Sequence, residues 1–177
     1  MPNIVYIATS LDGYIADKNN QIDWLHKIPN PEGSDFGFAD FMNDIDALVM
    51  GRNTFDMAMS FDCDWPYSKP VYVLSSTMKS VPEAYQDKVF LLQGEIEQIV
   101  EQLHKQGLHR LYIDGGKTIQ GFLEKDLIDE FIIITIPVLL GGGVPLFGDL
   151  IAPLQFKHLS STRYVDCLVK NHFSRQR

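Results

Sequence analysis

Ala47-Leu48-Val49-Met50-Gly51-Arg52-Asn53-Thr54-Phe55 runs from an apolar stretch through a glycine turn into a predicted helix start. Arg110-Leu111-Tyr112-Ile113-Asp114-Gly115-Gly116-Lys117-Thr118-Ile119 does the same a second time. Strand, glycine turn, helix is an arrangement that aims backbone N–H groups at an anion. The glycines let the backbone come close, and the new helix offers unpaired N–H donors and the positive end of its dipole. Either turn alone also reads as an ordinary tight turn. Two in one short chain, with Arg52 in the first, point to a ligand with more than one phosphate, such as a dinucleotide.

Outward from these turns, the pattern predicts further strands over Ile4 to Thr9, Pro70 to Ser75, Val89 to Leu92 and Glu130 to Leu140. Gln155 to Ser161 and Val165 to Phe173 read as a terminal antiparallel pair turning at Thr162 to Tyr164. Helices are predicted over Asp35 to Asn43, Thr54 to Met59, Glu95 to Gln106 and Thr118 to Glu124. The third carries an apolar stripe of Ile96, Ile99, Val100 and Leu103 and a stop at Gly107. Ser10 to Pro31, with Asp12-Gly13, Asn19-Asn20 and two prolines, reads as a long functional loop. Strands alternating with helices, then a hairpin, imply an α/β fold with a mostly parallel central sheet and an antiparallel C-terminal hairpin.

The 177 residues suit one domain, 1–177, and 45% hydrophobic against 21% charged residues is an ordinary globular balance. A net charge of -8 argues against nucleic acid and anionic membranes as partners, because both need a basic face. Phe131 to Phe147 is long and nearly uncharged, but Pro137, Gly141 to Gly143 and Pro145 make it a buried strand followed by a glycine loop. Cys63 and Cys167 form no motif. With no export signal after Met1-Pro2-Asn3, a reduced cytoplasmic protein is expected.

No nucleophile elbow, zinc-protease motif, metal-spaced Cys and His cluster or G-x-G-x-x-G fingerprint is present, so no metal site and no standard Rossmann site is expected. The five histidines are scattered. Two carboxylates stand out. Asp35, at the head of the first predicted helix, reads either as a helix cap or, if buried, as a proton donor with a raised pKa. Asp12 reads either as a catalytic carboxylate or as part of an Asp-Gly turn.

Ile7-Ala8-Thr9-Ser10-Leu11-Asp12-Gly13-Tyr14-Ile15-Ala16, Trp24-Leu25 and Asp46 to Phe55 together resemble the dihydrofolate reductase superfamily. Tyr112-Ile113-Asp114-Gly115-Gly116 and Ile136 to Phe147 resemble its branch containing the reductase domain of the bifunctional riboflavin deaminase-reductase and the single-domain relatives of that enzyme. The resemblance runs from Ile4 to Phe173. It implies a three-layer dihydrofolate-reductase-like fold with NADPH across the carboxyl ends of the strands.

By this resemblance, Gly51, Arg52 and Thr54 match the first phosphate turn, with Arg52 suited to a phosphate ion pair. Leu74, Ser75 and Ser76 match the strand end beside the adenosine 2′-phosphate, and otherwise read as a solvated loop. Gly115, Gly116, Lys117, Thr118 and Ile119 match the pyrophosphate turn. Ala8 and Ile15 match positions near the nicotinamide, or read as plain core. Asp35 matches the carboxylate that binds and protonates a pterin ring, and Trp24 covers the substrate or caps the core. The chain lacks a deaminase domain and zinc motif, so the likeness is to the reductase half alone.

The expected activity is hydride transfer from NADPH to a C=N bond or carbonyl of a small heterocycle. The resemblance ranks a riboflavin-type pyrimidine reductase above a dihydrofolate reductase. A non-catalytic module that binds NADPH or another nucleotide is the alternative of a different class. A homodimer through the late strands is also expected.

Overall fold

The computed structural model describes residues 1–177. In chain order the elements are β1 (Asn3–Ser10), β2 (Tyr14–Ala16), α1 (Phe38–Asn43), β3 (Ala47–Gly51), α2 (Arg52–Ser60), β4 (Val71–Leu74) and β5 (Val89–Leu92). Then come α3 (Ile96–Lys105), β6 (Leu111–Asp114), α4 (Gly116–Glu124), β7 (Glu130–Ile136), β8 (Val144–Pro145), β9 (Phe156–Tyr164) and β10 (Leu168–Arg175). Eight strands form one sheet in the order β5-β4-β3-β6-β1-β7-β10-β9. The first six are mutually parallel, and β10 runs antiparallel to both β7 and β9.

The central strands read as unbroken apolar runs because they are covered on both faces. Residues of β3 alternate between two cores: Leu48 and Met50 face α1 and α2, while Ala47 and Val49 face α3 and α4. The first core closes over Phe55 and the second over Phe122, both fully buried and each stabilising by about 2–3 kcal/mol. Helix layer, sheet, helix layer is the expected three-layer α/β arrangement.

Several expected boundaries move. The strand expected to reach Leu140 ends at Ile136, because Pro137 has no N–H to continue the ladder. The hairpin turns at Val165-Asp166, both with positive φ (44° and 61°), and not at Thr162 to Tyr164. A β-branched residue seldom adopts that conformation, so the sequence hides this turn. The expected loop Ser10 to Pro31 contains β2 and a 3-10 turn over Asp23–Lys27. Strand β2 pairs with β8 as a separate two-stranded sheet. Phe131 to Phe147 is a strand followed by a glycine loop, and no helix is long and apolar enough to cross a membrane.

Candidate functional site

The chain leaves β1 and β3 toward α1 and α2 on one face of the sheet, and leaves β6 toward α4 on the other. Strand β6 lies between β1 and β3, so a crevice opens at its carboxyl end, the usual ligand position in open α/β sheets. Both glycine turns meet there, with Asp114 standing beside Met50 in the parallel register.

The turns are locked together. A Cβ on Gly51 would lie 2.9 Å from Thr118 Oγ1, and a Cβ on Gly115 would collide with the Thr54 side chain. The backbone φ of +94° at Gly115 is a conformation that glycine adopts without strain. The missing side chains therefore let each turn close on the other. This sets the N-termini of α2 and α4 side by side, and neither has a side-chain cap. Such a pair of uncapped N-termini suits a polyanion. Arg52, half exposed, extends from the first. Its Nε lies 3.4 Å from Asp56 and its Nη1 donates to Thr77 Oγ1 at 3.4 Å. Lys117 is exposed at the second.

The other expected cofactor positions divide. Thr118 is buried against Gly51. Ile119 is fully buried and its N–H donates to the Gly115 carbonyl, so it supports the turn from within and offers nothing to a ligand. Ser76 is exposed at the end of β4 beside half-buried Leu74. Ser75 Oγ accepts the N–H groups of Thr77 and Met78 and shapes the turn. Ala8 packs on the α1–α2 core and Ile15 on the other, so the two do not share one face of the sheet.

Ile15 belongs to a clasp over the second turn. A Cβ on Gly116 would lie 3.2 Å from both Ile15 Cδ1 and Val144 Cγ1, one from each strand of the small sheet. Asp12 fastens the clasp. Its carboxylate accepts from Ser10 Oγ (2.6 Å), Leu140 N–H (3.1 Å) and Gly141 N–H (2.8 Å), while Ser10 Oγ accepts the Tyr14 N–H. These donors, the Ser10 hydroxyl first, hold the exposed Asp12 below the usual carboxylate range.

Asp35 behaves in the same way. It is exposed, and its carboxylate accepts the Ala39 and Gly37 N–H groups, both at 2.9 Å, which lowers its pKa. The burial and raised pKa that the proton-donor reading requires are absent, because the exposed carboxylate caps α1. Of the two readings, the cap describes its surroundings.

The carboxylate with a raised pKa is Asp114, quoted within the second turn but not singled out as a candidate. It shares a face of β6 with Tyr112 and is packed near the Tyr112 and Tyr67 side chains. Burial raises its pKa to about 6, opposed in part by the Gly115 N–H donating to Oδ1 at 2.9 Å. The period-two alternation of β6 carries the signal: Tyr112 and Asp114 face the crevice side, Leu111 and Ile113 the opposite core. Around it lies an aromatic wall in which Trp65 contacts Tyr67, Phe55 and Tyr85 with ring centroids 5.2, 6.0 and 5.0 Å away. Trp24 is buried in the same core, and the indole Nε1 atoms of Trp24 and Trp65 have no partner.

A separate cavity of about 420 Å³ lies where β1 and β7 begin, lined by residues including Tyr6, Arg110, Glu130, Lys170 and His172. Its bases are engaged already. Arg110 pairs with Asp44 (2.8 Å), His172 with Glu130 (2.8 Å), and Lys170 donates to the Phe36 carbonyl (2.8 Å).

The family model for the RibD C-terminal domain matches residues 4–169. The crystal structure of a Shewanella sp. PV-4 protein provisionally assigned to riboflavin biosynthesis is 58% identical, with a TM-score of 0.98 over 100% of both chains. A Thermotoga maritima diaminohydroxyphosphoribosylaminopyrimidine deaminase/5-amino-6-(5-phosphoribosylamino)uracil reductase aligns with a TM-score of 0.76 at 17% identity, over 99% of this chain and 57% of that one. Dihydrofolate reductase from Enterococcus faecalis aligns with a TM-score of 0.70 at 14% identity, over 99% and 97%. These last two establish the shared fold, which is dihydrofolate-reductase-like.

Proposed function

The chain belongs to the RibD C-terminal domain family, and from that premise we propose that it is an NADPH-dependent reductase of a small heterocycle. The reaction is most like that of 5-amino-6-(5-phosphoribosylamino)uracil reductase. The observation that carries this reading is half-buried Asp114, its pKa raised to about 6, beside two uncapped helix N-termini, a proton source next to an anion cradle. A module that only bound a nucleotide would need the second and not the first.

Arg52 and the first-turn N–H groups of α2, with Gly51 and Thr54 shaping the turn, hold one phosphate. Gly115, Gly116, Lys117 and the start of α4 hold the pyrophosphate, with Thr118 and Ile119 as its internal support. Leu74, Ser75 and Ser76 flank the 2′-phosphate. When bound, the dihydronicotinamide supplies a hydride. The chain does the rest. Ala8 and the Ile15 clasp limit water at the crevice. Trp24, buried in the α1–α2 core, backs the substrate. Asp114 delivers a proton to the atom adjoining the carbon that is reduced and is reprotonated from solvent. In this reading Asp12 and Asp35 act through the backbone segments they fasten. A homodimer through the outer edge of β9, the last strand of the sheet, completes the proposal.

Fluorescence titration with NADPH and NADH in parallel tests the cofactor. Turnover of the phosphoribosylaminopyrimidine and of dihydrofolate then tests the substrate class. Binding of NADPH in preference to NADH, with reduction of the pyrimidine, is the expected result. Binding of neither nucleotide would end the proposal, and efficient turnover of dihydrofolate would reassign the substrate.

A further inference from the structure

Three basic side chains line the cavity of about 420 Å³ where β1 and β7 begin. Arg110 and His172 each pair with a carboxylate, of Asp44 and Glu130, and Lys170 does not. Its Nζ donates to the Phe36 carbonyl at 2.8 Å and stands 5.2 Å from the Tyr164 ring centroid and 5.9 Å from that of Tyr6. A carbonyl and two ring faces solvate an ammonium and leave its charge unneutralised. Asp35, a carboxylate that feels the Lys170 charge, spends its two oxygens on the Gly37 and Ala39 N–H groups. We propose that Lys170 anchors a second small-molecule site in this cavity, and that its ligand is an aromatic monocarboxylate. The site stands apart from the crevice and from the reaction proposed there.

The backbone is shaped around the ammonium. Phe36 and Gly37 both have positive φ, +58° and +87°, and for a bulky residue such as Phe36 that conformation is strained. This turn aims the Phe36 carbonyl at Lys170, and the Tyr6 hydroxyl donates to the same oxygen at 2.8 Å. A Cβ on Gly37 would lie 2.8 Å from Lys170 Nζ and 3.7 Å from the Tyr164 hydroxyl, so the missing side chain leaves room beside both. A carboxylate entering there meets the ammonium N–H groups that Phe36 does not use, and the phenol of Tyr164. Ile4, Phe41 and Ile132 give an apolar floor beside the Tyr6 ring, and the volume falls within the roughly 300–1,000 Å³ of small-molecule sites. Asp40, Asp44 and Glu130 stand on the same walls and repel a second negative charge on the ligand. A phosphate calls for an Arg fork or several backbone N–H groups. Arg110, the one arginine of the cavity, already gives Nη2 to the Asp44 carboxylate and Nε to the Asp44 carbonyl.

Titration of nitrogen-15-labelled protein with benzoate, followed by amide chemical shifts, tests the site without cofactor or substrate. Saturable shifts at Gly37, Phe41, Ile132 and Lys170 are expected, with uncharged benzamide and doubly charged phthalate each binding about tenfold more weakly or worse. In Lys170→Met the benzoate affinity falls by about tenfold or more while the rest of the amide spectrum stays native. Lys170→Gln keeps a donor for the Phe36 carbonyl and removes the charge; it gives the same loss and serves if the Met variant does not fold. Absence of saturation, equal binding of benzamide or phthalate, or unaltered benzoate affinity in the variants overturns the proposal. Shifts centred on Gly51 and Gly115 would place the ligand in the crevice and overturn it as well.

Discussion

Gly115 has no side chain because the side chain of Thr54 occupies that space, and Thr118 stands in the same relation to Gly51. The two turns that read in sequence as two separate ligand cradles are one interlocked unit. This close approach fixes how the N-termini of α2 and α4 stand beside each other, and with it the spacing of their free N–H groups.

Gly115→Ala therefore does double damage. It forces an L-residue into a φ of +94° and pushes its methyl into Thr54. The expected loss is about 2–4 kcal/mol of stability together with weaker NADPH binding, read by chemical denaturation and by cofactor titration. Adding Thr54→Ala restores part of the stability, since it empties the space the new methyl needs.

Arg52→Ala has the opposite profile. The guanidinium is half exposed and its partners Asp56 and Thr77 stand at 3.4 Å, so stability stays within about 0.5 kcal/mol. NADPH affinity falls about tenfold or more, equivalent to about 1.4 kcal/mol. Equal losses for NADPH and NADH would assign Arg52 to the pyrophosphate, and a loss confined to NADPH would assign it to the 2′-phosphate.

The carboxylates separate by pH. Asp114 has a folded pKa of about 6, above its unfolded value. Its contribution favours folding at low pH and is lost as pH rises from about 4 to about 6. Asp114→Asn is accordingly expected to be more stable than native at pH 8, by at most about 3 kcal/mol, while slowing reduction by about a hundredfold. Thermal melts across pH and single-turnover rates check both halves.

Asp12 and Asp35 carry the reverse sign. Their folded pKa values lie below the unfolded ones, so what they contribute is present above about pH 4 and disappears as acid protonates them. Asp35→Asn is expected to retain activity within a few-fold. Asp12→Ala frees Leu140 and Gly141 from the clasp and raises the KM for cofactor more than it lowers kcat. Loss of all turnover in Asp35→Asn would return the proton-donor role to that residue.

The sheet was legible where strand and turn announced themselves together, as at Met50-Gly51 and Asp114-Gly115. The small sheet was not. Its strands hold three and two residues, and Tyr14 and Pro145 are partners across most of the chain, so no local pattern marks them. The hairpin was found but displaced, because Val165 occupies a conformation its side chain disfavours. That the two glycine turns come together was foreshadowed by their matching strand-turn-helix patterns. Asp114 does not stand out in the sequence because a carboxylate before Gly-Gly reads as the end of a strand; its raised pKa comes from desolvation, which is a property of the fold. Asp35 left two readings open for the converse reason, since a helix cap and a buried proton donor occupy the same place in the sequence, and its hydrogen bonds are those of a cap.

The position of β1 has a consequence for how the protein is made. This strand precedes every other strand of the sheet in the chain, yet its neighbours are β6 and β7. Ile4 has no strand to pair with until β6 follows at Leu111, and Val5 and Tyr6 wait for β7. The clasp that closes the crevice waits longer still, for Val144 and Pro145. Few of the native pairings are local, and the nascent chain carries an apolar, unpaired strand through most of translation. Transiently exposed apolar strands of this kind favour aggregation over folding.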